Sequence, residues 1–181
     1  GVHAASEGSS GFSVRGGSPD QNLILLDDVP VYNASHFLGF FSVFNNDVVK
    51  DATLYKGDIP AMYDSRLSSV LDIKTLDEIP SKLDMQGGVG ILTSRLTLNM
   101  PFNKGRSAIL LGGRITYGGV LACNIFKKLK GSSMYFYDAN AKIMHTFNDK
   151  NRLFVSVYMG DDILGMDSLA SMTYGNKNVV A

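Results

Sequence analysis

Residues 11–75 read GFSVRGGSPDQNLILLDDVPVYNASHFLGFFSVFNNDVVKDATLYKGDIPAMYDSRLSSVLDIKT, and the fold is decided there. Apolar runs at Phe12–Val14, Leu23–Val31, Ala52–Tyr55 and Val70–Ile73 alternate with turn clusters. Those clusters are Gly16-Gly17-Ser18-Pro19-Asp20, Asn45-Asn46-Asp47 and Gly57-Asp58-Ile59-Pro60. Short apolar runs bounded by Gly, Pro, Asn and Asp predict a small mixed sheet. Leu23-Ile24-Leu25-Leu26 lacks alternation, which predicts a strand buried on both faces. Asn45-Asn46-Asp47 has the chemistry of a helix N-cap, predicting one or two helical turns through Val48, Val49 and Lys50.

Downstream the text changes. Leu76–Ser81 is acidic and contains Pro80, as expected of a linker. Beyond it period two takes over. Leu92, Leu96, Leu98 and Met100 alternate with Thr93, Arg95, Thr97 and Asn99. Ile109, Leu111, Ile115 and Tyr117 oppose Gly112, Arg114 and Thr116. Ser133–Asn148 sets Tyr135, Tyr137, Ala139, Ala141, Ile143 and Phe147 against Asp138, Asn140, Lys142 and Thr146. Leu153, Val155, Val157 and Met159 form one face of Arg152–Gly160, with Ser156 on the other. Lys82–Gly88 supplies a preceding strand, giving five strands and part of a sixth. Strands of this length and alternation suit a transmembrane barrel, with apolar residues to lipid and polar residues to a lumen. A soluble antiparallel sandwich carries the same alternation.

Composition narrows the choice of partner. The 181 residues have no net formal charge, and mean hydropathy is +0.05 with 45% hydrophobic residues. A neutral chain lacks the cationic excess that phosphate binding needs, so nucleic acid is not an expected partner. No run approaches the ~18–20 apolar residues of a membrane helix, which leaves barrel strands untouched as a possibility. Cys123 is the sole cysteine, so an internal disulfide is impossible.

The residues offer little chemistry. Asp27-Asp28 are neighbours whose side chains would point to opposite faces of a strand, and they read as a strand-end turn. Asp161-Asp162, near Asp167, lack the ligand spacing of a calcium loop and read as solvated loop acids. His3, His36 and His145 form no H-x-x-x-H pair, so no zinc site or other metal site is assigned. Asn33-Ala34-Ser35 fits the short glycosylation pattern, and Leu121–Lys130 allows a basic amphipathic turn of helix. No residue is assigned a catalytic role, no cofactor is implied, and the chain is not expected to be an enzyme.

The order and spacing of several segments resemble the second half of the plug domain of TonB-dependent outer-membrane receptors, especially the Bacteroidetes type. These are Val14–Asn22 (VRGGSPDQN), Leu25-Leu26-Asp27, Val29–Asn33 (VPVYN), Phe40–Asn45 (FFSVFN), Leu54–Gly57 (LYKG) and Arg66–Ile73 (RLSSVLDI). They cover about a third of the chain. Two positions depart: Asp28 and Asp64 stand where that family usually has Gly. Gly there supplies positive φ, which Asp tolerates better than most residues.

The resemblance implies a mainly β architecture: an α+β plug half at 1–75, a linker at 76–81, and the first antiparallel transmembrane β-barrel strands at 82–181. It implies a gated importer of a scarce nutrient (iron chelate, cobalamin, glycan or peptide) in the Gram-negative outer membrane. TonB, outer-membrane lipid and, in some receptors, a surface lipoprotein would be its partners. Tyr32, Asn33, His36 and Phe37 are the expected substrate-facing plug loop, and Arg15, Lys56 and Arg66 the expected cations for carboxylates of the barrel wall. Gly1–Gly8 has neither a basic start nor an apolar core, and Val179-Val180-Ala181 ends as an apolar run begins; both ends read as cuts within a longer receptor. Short turns at Phe102–Arg106 and Asn148–Asn151 would be periplasmic. Longer loops at Gly118–Ser132 and Asp161–Asn176, with a short turn at Gly88–Gly90, would be extracellular. Tyr117, Tyr135, Tyr137 and Phe147 near strand ends suit an interfacial girdle. The alternative reading from the residues is a soluble β-rich binding or adhesion module without transport.

Overall fold

The run Leu23–Leu26 lies within β3 (Asn22–Leu26), the inner strand of a four-stranded sheet. The structure, a computed structural model, describes residues 2–4, 12–32, 34–36, 41–63, 68–117, 133–166 and 170–181. Other strands of the N-terminal unit are β1 (Val2–Ala4), β2 (Phe12–Val14), β4 (Val29–Pro30), β5 (Ser35–His36), β6 (Phe41–Ser42), β7 (Val49–Tyr55) and β8 (Ser69–Thr75). The chain divides into two units, Gly1–Leu76 and Asp77–Val179.

In the first unit the sheet order is β4-β3-β8-β7. Parallel pairing of β3 with β8 sets Leu23 beside Val70 and Leu25 beside Asp72. Leu23, Leu25 and Val70 are buried, with Tyr55, Ile59 and Tyr63 packed against them. Removing that apolar area from water stabilises the unit by roughly 25 cal/mol per Å². β3 turns into β4 through Asp27 and Asp28, both at positive φ (47° and 71°). Two left-handed residues define the two-residue hairpin turn whose twist matches its strands. Asp28 therefore occupies the conformation a Gly would, as the sequence suggests.

One expectation fails here. Asn45–Val48 forms a turn, with Val48 N–H donating to Asn45 O (3.1 Å), and the chain enters strand β7 at Val49 instead of a helix. Asn45 does act as a cap, its Oδ1 accepting from Asp47 N–H (3.2 Å), but of a turn. Asx residues stabilise both motifs locally, and pairing of β7 with β8 decides between them. No α-helix occurs among the described residues.

The second unit is a six-stranded antiparallel meander. Its strands are β9 (Asp84–Val89), β10 (Thr93–Phe102), β11 (Ser107–Thr116), β12 (Ser133–Asn148), β13 (Asn151–Met166) and β14 (Ala170–Val180), neighbours in sequence order. Mainly β structure, with antiparallel pairing after residue 82, is as the sequence predicts. Register puts Leu98, Leu111, Ala141 and Val157 in one row, and Met100, Ile109, Ile143 and Val155 in the next. Leu92, Leu96, Leu111, Ile115, Ile143, Leu153 and Val155 on this face are exposed. Arg95, Arg114 and Asp138 share a row of the opposite face, as do Thr97, Gly112, Asn140 and Tyr158.

β13 corrects a second expectation. It runs on to Met166, and β14 begins at Ala170, so Asp161–Asn176 is mostly strand and not a long loop. Asp161 pairs with Tyr137 and Asp162 with Phe136. Asp162 is buried, so the pair does not form solvated loop acids. The acids interrupt the apolar alternation, yet β12 remains long enough to pair beyond them. Gly118–Ser132, with Cys123 and the Leu121–Lys130 segment, lies outside the described residues.

Candidate functional site

Two sites emerge, one in each unit. In the first, the turn after β2 and the turn after β7 bring Arg15 and Lys56 to one polar cavity of about 500 Å³. Gly16, Gly17, Gln21, Gly57, Asp58, Ile59 and Ser68 complete its lining. Arg15 is held at φ 52° and Gly16 at φ 81°, the turn closing through Gly17 N–H to Val14 O at 2.9 Å. Across it, Ser68 Oγ donates to Val14 O (2.6 Å), tying this turn to the entrance of β8. A Cβ on Gly57 would stand 2.8 Å from Arg15 Nη1, so this glycine is what lets the guanidinium lie over the Lys56–Asp58 turn. A Cβ on Gly17 would be 2.5 Å from Ser68 Oγ. Arg15 and Lys56, expected separately from the sequence, thus share one site. Arg66 lies outside the described residues.

The loop after β4 divides differently. Tyr32 is 85% exposed, whereas His36, in β5 and paired to Phe41, is 1% exposed. Asn33 and Phe37 lie outside the described residues. Of the four loop residues singled out in the sequence, Tyr32 is the one shown presenting its side chain to solvent.

Behind the sheet is a network that local patterns did not signal. Tyr63 Oη donates to Asp72 Oδ2 (3.0 Å), and Lys74 Nζ bridges Asp72 Oδ1 (3.4 Å) and Asp28. Partial burial, then the hydrogen bond and charge of Asp72, hold the Tyr63 phenol above its ordinary range. Burial alone would lower Lys74, but the bond to Asp28 and the charge of Asp72 outweigh it and raise its pKa. Asp27 is buried, its Oδ1 accepting from Thr75 N–H (2.9 Å) and its Oδ2 from Thr75 Oγ1 (2.5 Å).

In the second unit the polar face carries a buried ion pair. Arg114 Nε and Nη2 both donate to Asp138 Oδ2, at 2.8 and 2.7 Å, across directly registered positions of β11 and β12. The guanidinium also lies 5.1 Å from the Phe136 ring centroid, and Lys142 Nζ is 4.6 Å from that of Phe154. In the next row of that face, Thr97 Oγ1 and Asn140 Nδ2 are buried with no hydrogen-bond partner among the described residues. The alternation marked Arg114, Asp138, Asn140 and Lys142 as one polar face; that Arg114 meets Asp138 needed the register. Among the described residues no group of three or more His, Cys, Asp or Glu is placed to hold a metal ion.

The opposite face ends in aromatic residues. Tyr137 Oη donates to Asp161 Oδ2 (2.7 Å), and Tyr117 Oη bonds Ser94 Oγ (3.1 Å) and donates to Gly90 O. At the far end Phe147 is exposed and meets His145 edge-on at 4.4 Å.

Comparison with known proteins bears on these two units. The model of the TonB-dependent receptor plug domain matches residues 1–69. Among solved structures, the siderophore receptor PirA from Acinetobacter baumannii superposes with a TM-score of 0.61 at 15% identity, over 91% of this chain. The chain spans 28% of that receptor's length. No curated protein matches. Residues 1–69 are thus similar to the plug domain of TonB-dependent receptors, and the likeness of fold to a solved receptor runs on through the antiparallel strands.

Proposed function

We propose that this chain contributes plug and first wall strands to an outer-membrane transporter that imports a scarce nutrient. In this reading residues 1–75 are plug, 76–81 are linker and 82–181 open the barrel. The observation that carries the proposal is the polarity of the meander. Leu92, Leu96, Leu111, Ile115, Ile143, Leu153 and Val155 of its apolar face are exposed, while Thr97, Asn99, Asp138, Asn140 and Lys142 of the other face are buried beside Leu110, Phe136 and Tyr158, unlike a water-soluble sheet that keeps its polar face to solvent. That arrangement suits lipid outside and a polar lumen inside. The aromatic ends support a membrane band of the right height. Tyr137 and Phe147 stand ten positions apart on one strand (147 − 137). At ~3.3 Å per residue they are separated by about 33 Å, and a tilt of about 40° brings this to about 25 Å, the apolar band of such barrels.

Outer-membrane lipid is then the partner of the apolar face, and TonB the partner that draws on inner-membrane energy to move the plug. A surface lipoprotein is a further partner in this reading. Arg15, Lys56 and Arg66 hold the plug to wall carboxylates by polar contacts that can break. Tyr32, with Asn33 and Phe37, meets substrate, and buried His36 fixes that loop. The imported compound belongs to the iron chelates, cobalamins, glycans or peptides. No step of bond making or breaking is assigned.

Uptake by whole cells tests the proposal. Cells expressing the intact receptor should accumulate one of these nutrients, and accumulation should stop on deletion of TonB or addition of a protonophore. Uptake that survives both treatments would contradict the energy-coupled reading.

A further inference from the structure

We propose that the turns at 103–106 and 148–151, with His145 beside them, form a headgroup site for an anionic phospholipid. The first turn joins β10 to β11 and the second joins β12 to β13, so pairing of β11 with β12 sets them side by side at one end of the sheet. Thr146 N–H donates to Arg106 O (2.8 Å), and Ser107 Oγ lies 2.8 Å from His145 Nδ1, which ties the two together. Lys104, Arg106 and Lys150 stand on these turns against one acid, Asp149, in a chain with no net formal charge. All four side chains are exposed. None of the three cations makes an ion pair among the described residues.

The apolar face ends where this charge begins. Phe102, Ser107, His145 and Leu153 share a row of that face, next to the row of Met100, Ile109, Ile143 and Val155. Phe102, Phe147 and Leu153 are exposed there. Lys104 follows Phe102 by two positions and Lys150 follows Phe147 by three, at most about 7 and 11 Å of extended chain. Aromatic rings at a membrane edge with cations just beyond them follow the order of acyl chain, glycerol and phosphate in a lipid. Long cationic side chains lay their stems on apolar surface and bring their charge to the headgroup level. His145 adds a donor: with Ser107 Oγ–H given to Nδ1, the ring N–H is at Nε2, which has no partner among the described residues. The Phe147 ring, edge-on at 4.4 Å, holds the imidazole in place. Both turns are fixed by their own bonds. Asn148 Oδ1 accepts from Lys150 N–H (3.0 Å), Asn151 N–H (2.9 Å) and Asn151 Nδ2 (3.0 Å), and Arg106 N–H closes the other turn on Asn103 O (3.1 Å). Three cations and an imidazole N–H suit a phosphate that carries no amine of its own.

The inference rests on the lipid-facing reading proposed above, with the short turns towards the periplasm. Native mass spectrometry of the intact receptor, released from uncharged detergent micelles, tests it. Phosphatidylglycerol and phosphatidylcholine with matched acyl chains are supplied in equal amounts. Phosphatidylglycerol should be retained several-fold over phosphatidylcholine. Lys104→Gln with Lys150→Gln should bring that ratio towards one, and His145→Ala should lower it part of the way, whereas Lys104→Arg with Lys150→Arg should keep it. Arg95→Gln removes a charge at the opposite end of β10 and should leave the ratio unchanged. An equal loss in that variant would reduce the preference to net charge and overturn the site. Glycerol phosphate, a headgroup without chains, should not displace the lipid; displacement at equal concentration would mark a soluble-anion site and overturn the lipid assignment. Equal retention of the two lipids by the unaltered receptor, or a preference that survives the glutamine pair, would overturn it as well. If the lipid-facing reading itself fails, neither lipid stays bound, so the two failures read differently.

Discussion

Asp27 shows how one side chain joins distant parts of the chain. Its carboxylate accepts two hydrogen bonds from Thr75, 48 positions away, while its own backbone makes the left-handed first step of the β3–β4 turn. Hydrogen bonds to a buried charge contribute about 1.5–3 kcal/mol, and an amide left without its acceptor adds a desolvation penalty. Asp27→Ala should therefore lower stability by about 3 kcal/mol, read as the shift in urea midpoint by circular dichroism, whereas Asp28→Asn should change it by less than about 1 kcal/mol because its Lys74 bridge is largely exposed. Tyr63 makes a pH-dependent contribution of its own. Its raised pKa means the folded state holds the phenol proton more tightly than the unfolded chain does. That contribution is complete below about pH 10, the ordinary tyrosine range, and fades as pH rises towards the folded value. Lys74, also raised, acts in the same direction above its ordinary value. Urea midpoints between pH 8 and 12 should fall, and should fall less in Tyr63→Phe; an unchanged slope in that variant would exclude Tyr63 as a source. The turn character of Asp27-Asp28 is legible from sequence, because the two-residue punctuation is local. Its bond to Thr75 is not, since nothing local encodes which strand will lie alongside.

At the scale of elements, alternation decides where strands form but only register decides which side chains meet. Arg114 and Asp138 are polar positions in two strands; antiparallel pairing makes them direct partners and so a buried ion pair. Removing one member leaves a buried charge uncompensated, which typically destabilises by about 3–5 kcal/mol, while replacing both by apolar residues is often close to neutral. Arg114→Leu or Asp138→Leu alone should lower the urea midpoint of the micelle-bound protein strongly, and the double variant should recover much of it. A double variant as unstable as the sum of the singles would mean that the two side chains act independently. The elements misread from sequence fail for a related reason. Asn45-Asn46-Asp47 suits a turn as well as a helix cap, and the seven-residue partner β8 draws Val49–Tyr55 into a strand. Asp161-Asp162 breaks the apolar pattern that would have extended β13, but the phenol of Tyr137 satisfies Asp161 and the ladder continues.

For the molecule as a whole, the distribution of apolar surface governs behaviour in solution. Leu92, Leu96, Leu111, Ile115, Ile143, Leu153 and Val155 are exposed on one face of a single sheet. Monomeric soluble proteins rarely expose contiguous apolar patches beyond a few hundred Å². β9 and β14 are the outer strands of the six-stranded sheet, and each is bonded on one side within it. An unpaired strand edge is a template for pairing with another chain, and in lipid each unpaired amide or carbonyl costs several kcal/mol. The sequence alone left open a membrane wall or a soluble sandwich, because period two is common to both. What separates them is whether the apolar rows are covered, a property of packing and not of pattern. The isolated 181-residue chain should accordingly need detergent, and without a closed wall it should neither transport nor bind nutrient tightly. Sedimentation velocity in detergent-free buffer should show aggregates or a chain paired with itself, with dispersal on adding micelles. Substituting Leu96, Leu111 and Ile143 together by Ser should reduce the micelle requirement, since those side chains lie on the exposed face. A compact, stable monomer of the unaltered chain in plain buffer would mean that these rows are covered in water, and the assignment of this face to lipid would have to be withdrawn.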